Sequence, residues 1–390
     1  MKVSDIPGEL ERIRQAGRFR QVQDLRMVTA AGGIGRDGKE YIVLNSNDYL
    51  GMTHEKEVQE AAAQAISYGT GSGGARLTSG AVFEVSDLER ELAAFKHTAQ
   101  AVVFNTGYMA NLGVLYALAG PGDVIFSDEL NHASIVDGCR ISRAKVVVYP
   151  HSDMKRLHDL LEACDVSGQR FIISDGVFSM DGDMADLPFL LTLKKKYNAC
   201  LIIDDAHAMG VIGKTGQGTA EYYGVAGADI TVGTLSKALG SQGGYAAAGE
   251  AMAAYIRNRS RPFIFSTAMP AMSGAAALAA LRLLKRFPER YVGRLKENTD
   301  YMRRLLHAFR LPVSPGQTPI LPIILGEERK TLFFEKICRE RGILVSAIRP
   351  PTVAKGTCRI RVSVTAAHRK EDLEAAAAVL YEAWNSVKEL

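Results

Sequence analysis

The sequence contains no C-x-x-C pair, and its five cysteines (Cys139, Cys164, Cys200, Cys338 and Cys358) are odd in number and scattered. That excludes a disulfide scaffold or a cysteine-based zinc framework, and predicts reduced, mostly buried thiols of a cytosolic protein. Net charge is scarce as well. A balance of +4 over 390 residues is too mild to make nucleic acid the main partner. The N-terminus carries Asp5, Glu9 and Glu11 and no apolar h-region, so no signal peptide is expected. The long charge-free run Thr98 to Gly122 is broken by Gln100, Asn105, Thr106, Gly107, Asn111 and Pro121. It predicts strand, polar turn and buried helix in place of a membrane span. Low-complexity linkers and internal repeats are missing too.

What is present is an alternation of short apolar runs with helical patterns. Strands are expected at Ala101–Phe104, Asp123–Phe126, Lys145–Tyr149, Phe171–Ser174, Ala199–Ile203 and Ile230–Gly233. Helices are expected at 55–68 and 109–119, with another opened by a capping box at Ser86 to Glu89. This order predicts a mostly parallel, doubly wound α/β sheet. After Phe287-Pro288 the style changes to α+β, with a long helix at 289–309 and strands at 320–325, 344–348 and 358–364. The expected division is an N-terminal segment 1–45 holding an arginine-rich helix and a hairpin, a large domain 46–287, and a C-terminal domain 288–390.

Two phosphate-loop patterns fail on context. Gly69, Gly71 and Gly74 spell G-x-G-x-x-G, but a helix precedes them where a strand is required. Gly213-Lys214-Thr215 resembles the end of a P-loop, but Ala208 stands where its first glycine should be.

In such sheets ligands bind beyond the carboxyl ends of the strands, and polar residues gather there. Asn105-Thr-Gly-Tyr108 turns straight into a helix, whose N-terminus is a ready anion site. His132, Ser179, Asp204-Asp205-Ala206-His207 and Lys237 each follow a strand. Taken singly each has a plain structural reading. Lys237 could be a surface charge, His132 a satisfied loop histidine and Arg361 half of a structural ion pair. Asp204 and Asp205 could be strand-end caps or, with His207, a divalent metal site. Together, a carboxylate and a lysine past adjacent strands suit a pyridine cofactor. The acid favours a protonated ring nitrogen, and the amine can bond the ring's carbonyl.

At NSNDYLG, FNTGY, SDELNHAS, FSMDGD, IDDAHAMGVIG, TLSKALG, FSTAMP and RIRVSVTAAH the chain resembles the α-oxoamine synthases, and the likeness runs along essentially all of it. The resemblance implies an aminotransferase-like fold (pyridoxal-phosphate fold type I), with a mostly parallel large domain and a smaller α+β C-terminal domain. It implies pyridoxal 5'-phosphate as cofactor and no metal. Lys237 would be the Schiff-base lysine. Asp204 would pair with the ring nitrogen, His132 would stack on the ring, and Ser179 and His207 would face its hydroxyl side. Gly107 and Tyr108 would lie at the phosphate, with Thr234 and Ser236 near it. Thr267 would reach the phosphate of the other subunit, which makes the enzyme a homodimer with shared active sites. Asn47 and Arg361 would hold the amino-acid carboxylate. Lys237, His132, Asp204 and His207 are then the expected catalytic set.

Within the family, the run Ile348 to Val353 with Gly356-Thr357, and TAAH at 365–368, most resembles the biotin-pathway members. That implies condensation of L-alanine with a pimeloyl thioester, on coenzyme A or acyl carrier protein, in the cytoplasm. Arg20, Arg349 and Thr352 would meet the donor. The rival within the family is a glycine C-acetyltransferase, or another member using glycine or serine. A non-catalytic partner subunit would be expected to lack the lysine. A metal-dependent hydrolase on Asp204, Asp205 and His207 would be colourless and sensitive to chelators.

Overall fold

The computed structural model describes residues 2–388. Contacts divide the chain into two units. One comprises the chain through Ser46, the segment Met180–Gly182 and the chain from Lys296 onward; the other comprises Asn47–Ser179 and Asp183–Leu295.

The strands, in chain order, are β1 (Leu25–Thr29), β2 (Gly32–Gly35), β3 (Glu40–Val43), β4 (Gln100–Phe104), β5 (Val124–Asp128), β6 (Lys145–Tyr149) and β7 (Arg170–Asp175). They continue as β8 (Ala199–Asp204), β9 (Ile230–Thr234), β10 (Gly244–Ala248), β11 (Ile320–Gly326), β12 (Ile343–Leu344), β13 (Ser346–Ile348) and β14 (Cys358–Ser363).

The larger unit is built on a seven-stranded sheet in the order β4-β10-β9-β8-β7-β5-β6. Strands β5 to β9 are mutually parallel, and β10 runs against both its neighbours. A parallel sheet covered on both faces needs strands that are apolar throughout, and β8 is buried at every position. Successive side chains serve opposite faces. Ile125, Ile173 and Ile202 pack with Val114 and Ile256 on one side. Phe126, Ile172 and Leu201 pack with Leu157 and Leu190 on the other. Each such side chain, fully buried, contributes about 1.5–3 kcal/mol.

In the smaller unit β1-β2-β3-β12 and β11-β14-β13 form two sheets, with Met302, Phe334, Ile360, Val362 and Leu380 among its core residues. The α/β plus α+β expectation holds, and several local expectations do not. Ser86 lies inside a helix that begins at Phe83 with Val82 as its cap. Glu89 is no capping partner. It is buried, takes both Arg76 guanidinium nitrogens at 2.7 and 2.9 Å, and accepts the Val103 N–H at 2.7 Å. Of the N-terminal arginines only Arg12 and Arg14 are helical, in Ile6–Gln15; Arg26 lies on β1. The strand expected at 344–348 is split, with β12 pairing in parallel with β3. The buried strand β10 was not among the expected strands, its Gly-Tyr-Ala-Ala-Ala having no β-branched residue.

Candidate active site

The parallel strands end side by side, and their last residues or the turns after them bring the polar groups together. Asp175 and Asp204 close β7 and β8 in direct register. Both carboxylates are buried, at 5% and 4% exposure. Asp204 accepts the Ala206 N–H at 2.9 Å on one oxygen and the Asn111 amide at 2.6 Å on the other. Burial, and then the charge of Asp204, pushes the Asp175 carboxyl well above its ordinary range.

His132 follows β5 and caps the helix Ala133–Ser142. Its backbone N–H donates to Asp175 at 2.7 Å. Its ring Nδ1 accepts the Ser134 N–H at 3.2 Å, so a neutral ring carries its proton on Nε2. Burial lowers its pKa below the usual histidine value; Asp204 opposes that shift and the charge of Lys237 adds to it. Lys237 also acts on Asp175. The lysine, the two acids and the histidine therefore share one electrostatic neighbourhood.

Lys237 sits in the turn after β9, closed by the Gly240 N–H on the Lys237 carbonyl at 2.9 Å. Gly240 has φ +58°, and a Cβ there would press to 2.6 Å on the Thr53 backbone nitrogen. On the same side of the sheet the helix Gly107–Leu118 begins directly after β4, with Thr106 Oγ1 accepting the Met109 N–H at 3.0 Å. Its first N–H groups, on Gly107 and Tyr108, have no partner within the helix and are available to an anion. Gly107 packs on Thr234, where a Cβ would come to 3.3 Å. Thr234 itself is engaged, donating to the Gly243 carbonyl at 2.9 Å and accepting the Ser236 N–H at 3.1 Å. Ser236 lies exposed. The Tyr108 hydroxyl donates to Asp137, which raises its pKa, and its ring stands edge-on to His132 at 6.2 Å.

His207 is buried, with Nδ1 2.8 Å from the hydroxyl of the fully buried Tyr49. That hydroxyl also reaches Asn47 Oδ1 at 3.3 Å. Asp205 does not join Asp204 and His207 as a ligand set. It faces Lys96 at 2.8 Å and Thr219 at 2.7 Å, and among the described residues no group of acids, histidines or cysteines is placed to hold a metal ion. Ser179 lies half-buried after Phe178. Thr267 is exposed, its carbonyl accepting the Asn105 amide at 2.6 Å.

Within the smaller unit Arg361 is buried on β14, at 8% exposure. Arg349 donates to the Gly17 carbonyl, and Arg20 reaches the Thr352 hydroxyl at 3.5 Å. Sequence reasoning missed Asn111, Ser134 and Asp175. Asn111 is a polar residue in an otherwise apolar helix, and Asp175 ends its strand as Asp204 does; both signals were there to be read.

These residues fit a phosphorylated pyridine. Asp204, buried in register with Asp175, leaves negative charge that a cationic ring nitrogen would offset. Asn111 Oδ1 is buried with no hydrogen-bond partner beside them. A helix N-terminus stands open for the phosphate.

Residues 39–380 match the family described as aminotransferase class I and II. The chain is 47% identical to the 8-amino-7-oxononanoate synthase of Geobacter metallireducens, over 95% of this chain and 96% of that one. It is 44% identical to the enzyme of that name from Thermoanaerobacter pseudethanolicus, over 95% and 94%. Among solved structures it is similar to a serine palmitoyltransferase from S. paucimobilis with PLP bound. There the TM-score is 0.93 and the identity 29%, over 99% of this chain and 98% of that one.

Proposed function

The chain belongs to the aminotransferase class I and II family, and we propose that it joins L-alanine to a pimeloyl thioester, as an 8-amino-7-oxononanoate synthase of biotin biosynthesis. It is a pyridoxal-phosphate-dependent acyltransferase acting on an amino acid and a thioester. The observation that carries the reading is that His132, Asp204 and Lys237 lie at or just past the ends of three parallel strands of one sheet, with His132 under the charge of both the acid and the lysine. The 42–47% identity to enzymes of that name supports the choice of substrates.

When bound, pyridoxal phosphate supplies an electron sink for negative charge developing at the amino acid's α-carbon. The chain's own residues do the rest. Asp204, held by Asn111 and the Ala206 N–H, would favour positive charge at the ring nitrogen. His132, with Nδ1 held by the Ser134 N–H, would stack on the cofactor ring. Ser179 and His207 hold the ring hydroxyl side, the latter fixed through Tyr49. The N–H groups of Gly107 and Tyr108 take the phosphate, with Thr234 and Ser236 shaping its seat. Lys237 would be the amine that holds the cofactor's carbonyl carbon, and its amine would move the proton at the amino acid's α-carbon. A carbon–carbon bond forms to the thioester carbonyl and the thiol leaves. Loss of the carboxylate as carbon dioxide and return of a proton complete the amino ketone. Asn47 and Arg361 are proposed to bind the substrate carboxylate, and Arg20, Arg349 and Thr352 to meet the donor, on the resemblance alone.

A homodimer is part of the proposal. Ser72 Oγ donates to the Ala268 carbonyl at 2.6 Å and the Ala268 N–H to Gly74 at 2.9 Å, tying the glycine-rich loop to the Thr267 segment. On adjoining stretches of chain Tyr68, Leu77, Phe83 and Phe265 are 59–84% exposed, apolar side chains that a second copy would cover. Four of the five free thiols are buried, which suits the cytoplasm. Among the described residues no helix is long and apolar enough to cross a membrane.

The test is a spectral titration of the purified protein with alanine, glycine and serine, followed by turnover with a panel of acyl-CoA and acyl-carrier thioesters. Alanine with a pimeloyl thioester should be preferred. Preference for glycine with acetyl-CoA would select the glycine C-acetyltransferase reading.

A further inference from the structure

His151 follows β6 and has no place in the chemistry described above, yet both its ring nitrogens face carboxylates. Nδ1 lies 3.0 Å from Asp128 Oδ1 and Nε2 lies 2.8 Å from Asp183 Oδ2. Ionised carboxylates only accept, so this arrangement is satisfied only when both nitrogens carry a proton. The ring also packs edge-on against Phe178 at 4.4 Å, and the His151 backbone N–H donates to Glu129 at 2.8 Å. The histidine is therefore fixed at its backbone, both nitrogens and its face.

What it fixes lies beside the site. Phe178 and Asp183 belong to the two sides of a narrow stem, joined by the Val177–Met184 bridge and by the Phe178 N–H on the Asp183 carbonyl at 2.9 Å. Ser179 continues the first side. The root of the stem is Gly176, whose N–H donates to the Asp204 carbonyl at 2.8 Å. At its other end, Asp128 closes β5 and is 3% exposed. Its charge reaches Asp175, adding to that acid's raised pKa.

We propose that His151 is a positioning residue for the cofactor site, clasped as an imidazolium between Asp128 and Asp183. In that role it holds the stem that presents Ser179 and supplies standing positive charge beside the acids Asp128 and Asp175 at the strand ends. The inference rests on the proposed function only through the role given to Ser179. The Ser152 hydroxyl lies 3.5 Å from Nε2, and the titratable groups facing His151 are Asp128 and Glu129 from β5 and its turn and Asp183 from the stem, with Asp175 behind Asp128. All are acidic. Although burial alone would lower it, the two carboxylates push the His151 pKa up to about 10.

The experiment uses the full chain and two variants. Histidine-selective nitrogen NMR of the cofactor-free protein should find both His151 nitrogens protonated at about pH 8, with titration only near 10. Asp183→Asn keeps the shape and removes one charge, so the ring should titrate lower. Cofactor affinity, measured by equilibrium dialysis, should then weaken relative to wild type by about tenfold as pH rises from about 7 to 9. His151→Gln should weaken it at every pH and speed hydrogen exchange at the Phe178 amide. A merely structural contact would move stability without that pH signature. A singly protonated His151 at about pH 8 would overturn the proposal. So would two folded variants that bind pyridoxal phosphate as wild type does throughout; if His151→Gln fails to fold, Asp183→Asn decides alone. A wild-type chain that binds no pyridoxal phosphate would instead sink the functional reading and leave the NMR and exchange results standing.

Discussion

Asn111 spends both hydrogens of its side-chain amide on the site, one on Asp204 at 2.6 Å and one on the Ser134 hydroxyl at 2.9 Å. Since Ser134 in turn holds His132 Nδ1, a single helix residue sets both Asp204 and His132 at once. Asn111→Leu keeps the volume and removes the donor. A lost hydrogen bond to a charged group costs about 1.5–3 kcal/mol, so cofactor affinity should fall about 10- to 100-fold. Equilibrium dialysis of pyridoxal phosphate against the folded variant reads this directly. Wild-type affinity would mean that Asp204 does not depend on the amide.

Lys237→Ala should leave the fold intact, because the side chain is only half-buried and the turn is closed by backbone bonds. Turnover should drop by about 100- to 10,000-fold, the range for losing a positioned proton-transfer group. The protein-bound cofactor band should also disappear. Normal melting with normal turnover would end the assignment of Lys237.

Much of this was legible in the sequence, for a physical reason. A parallel strand buried on both faces must be an apolar run, and the polar residue that ends it marks the functional edge of the sheet. That logic reached Asp204, His132, Ser179 and Lys237. It failed at β10, whose Gly-Tyr-Ala-Ala-Ala has little β-branching. It is buried because β4 and β9 pair with it on both sides. It failed again at Glu89, where a cap-like spacing concealed a buried partner for Arg76. Asn111 and Asp204 are 93 positions apart, and no local pattern announces such a pairing.

Arg20 is the better probe of donor binding among the N-terminal arginines. Arg18 is tied to Glu328 at 3.2 Å, so reversing its charge would set two acids together and confuse binding with stability. Arg20 makes only a long contact with the Thr352 hydroxyl at 3.5 Å. Arg20→Glu should raise the KM of an anionic acyl donor several-fold, more at low salt, and leave the alanine KM unchanged. Equal donor KM values for variant and wild type at low salt would return Arg20 to an ordinary surface charge.

His368 gives a pH prediction in the smaller unit. It is fully buried, accepts the Thr365 N–H at 2.9 Å, and has its pKa lowered by burial. The unfolded chain therefore takes up a proton that the folded chain refuses. Stability present above the usual histidine pKa of about 6.5 should fall as pH drops below it, by up to about 1.4 kcal/mol per pH unit. Urea melts at about pH 7 and 5 should show a smaller loss in His368→Gln than in wild type, even though the variant starts less stable. An identical loss would assign the acid sensitivity to other groups, His132 among them.

Gly244 tests whether the short strand β10 sets the phosphate end of the site. A Cβ there would stand 2.5 Å from Gly107 Cα and 2.6 Å from its nitrogen, and backbone at a helix N-terminus cannot swing aside as a side chain would. Gly244→Ala should therefore displace the first turn of the helix Gly107–Leu118, at a cost of about 1–3 kcal/mol of stability. Because the displaced N–H groups are the proposed phosphate donors, pyridoxal phosphate should lose more affinity than pyridoxal does. Gly227→Ala is the control, since nothing lies within 4 Å of a Cβ at that position. If both variants lower the affinity for pyridoxal and its phosphate by the same factor, the helix N-terminus is not where the phosphate sits.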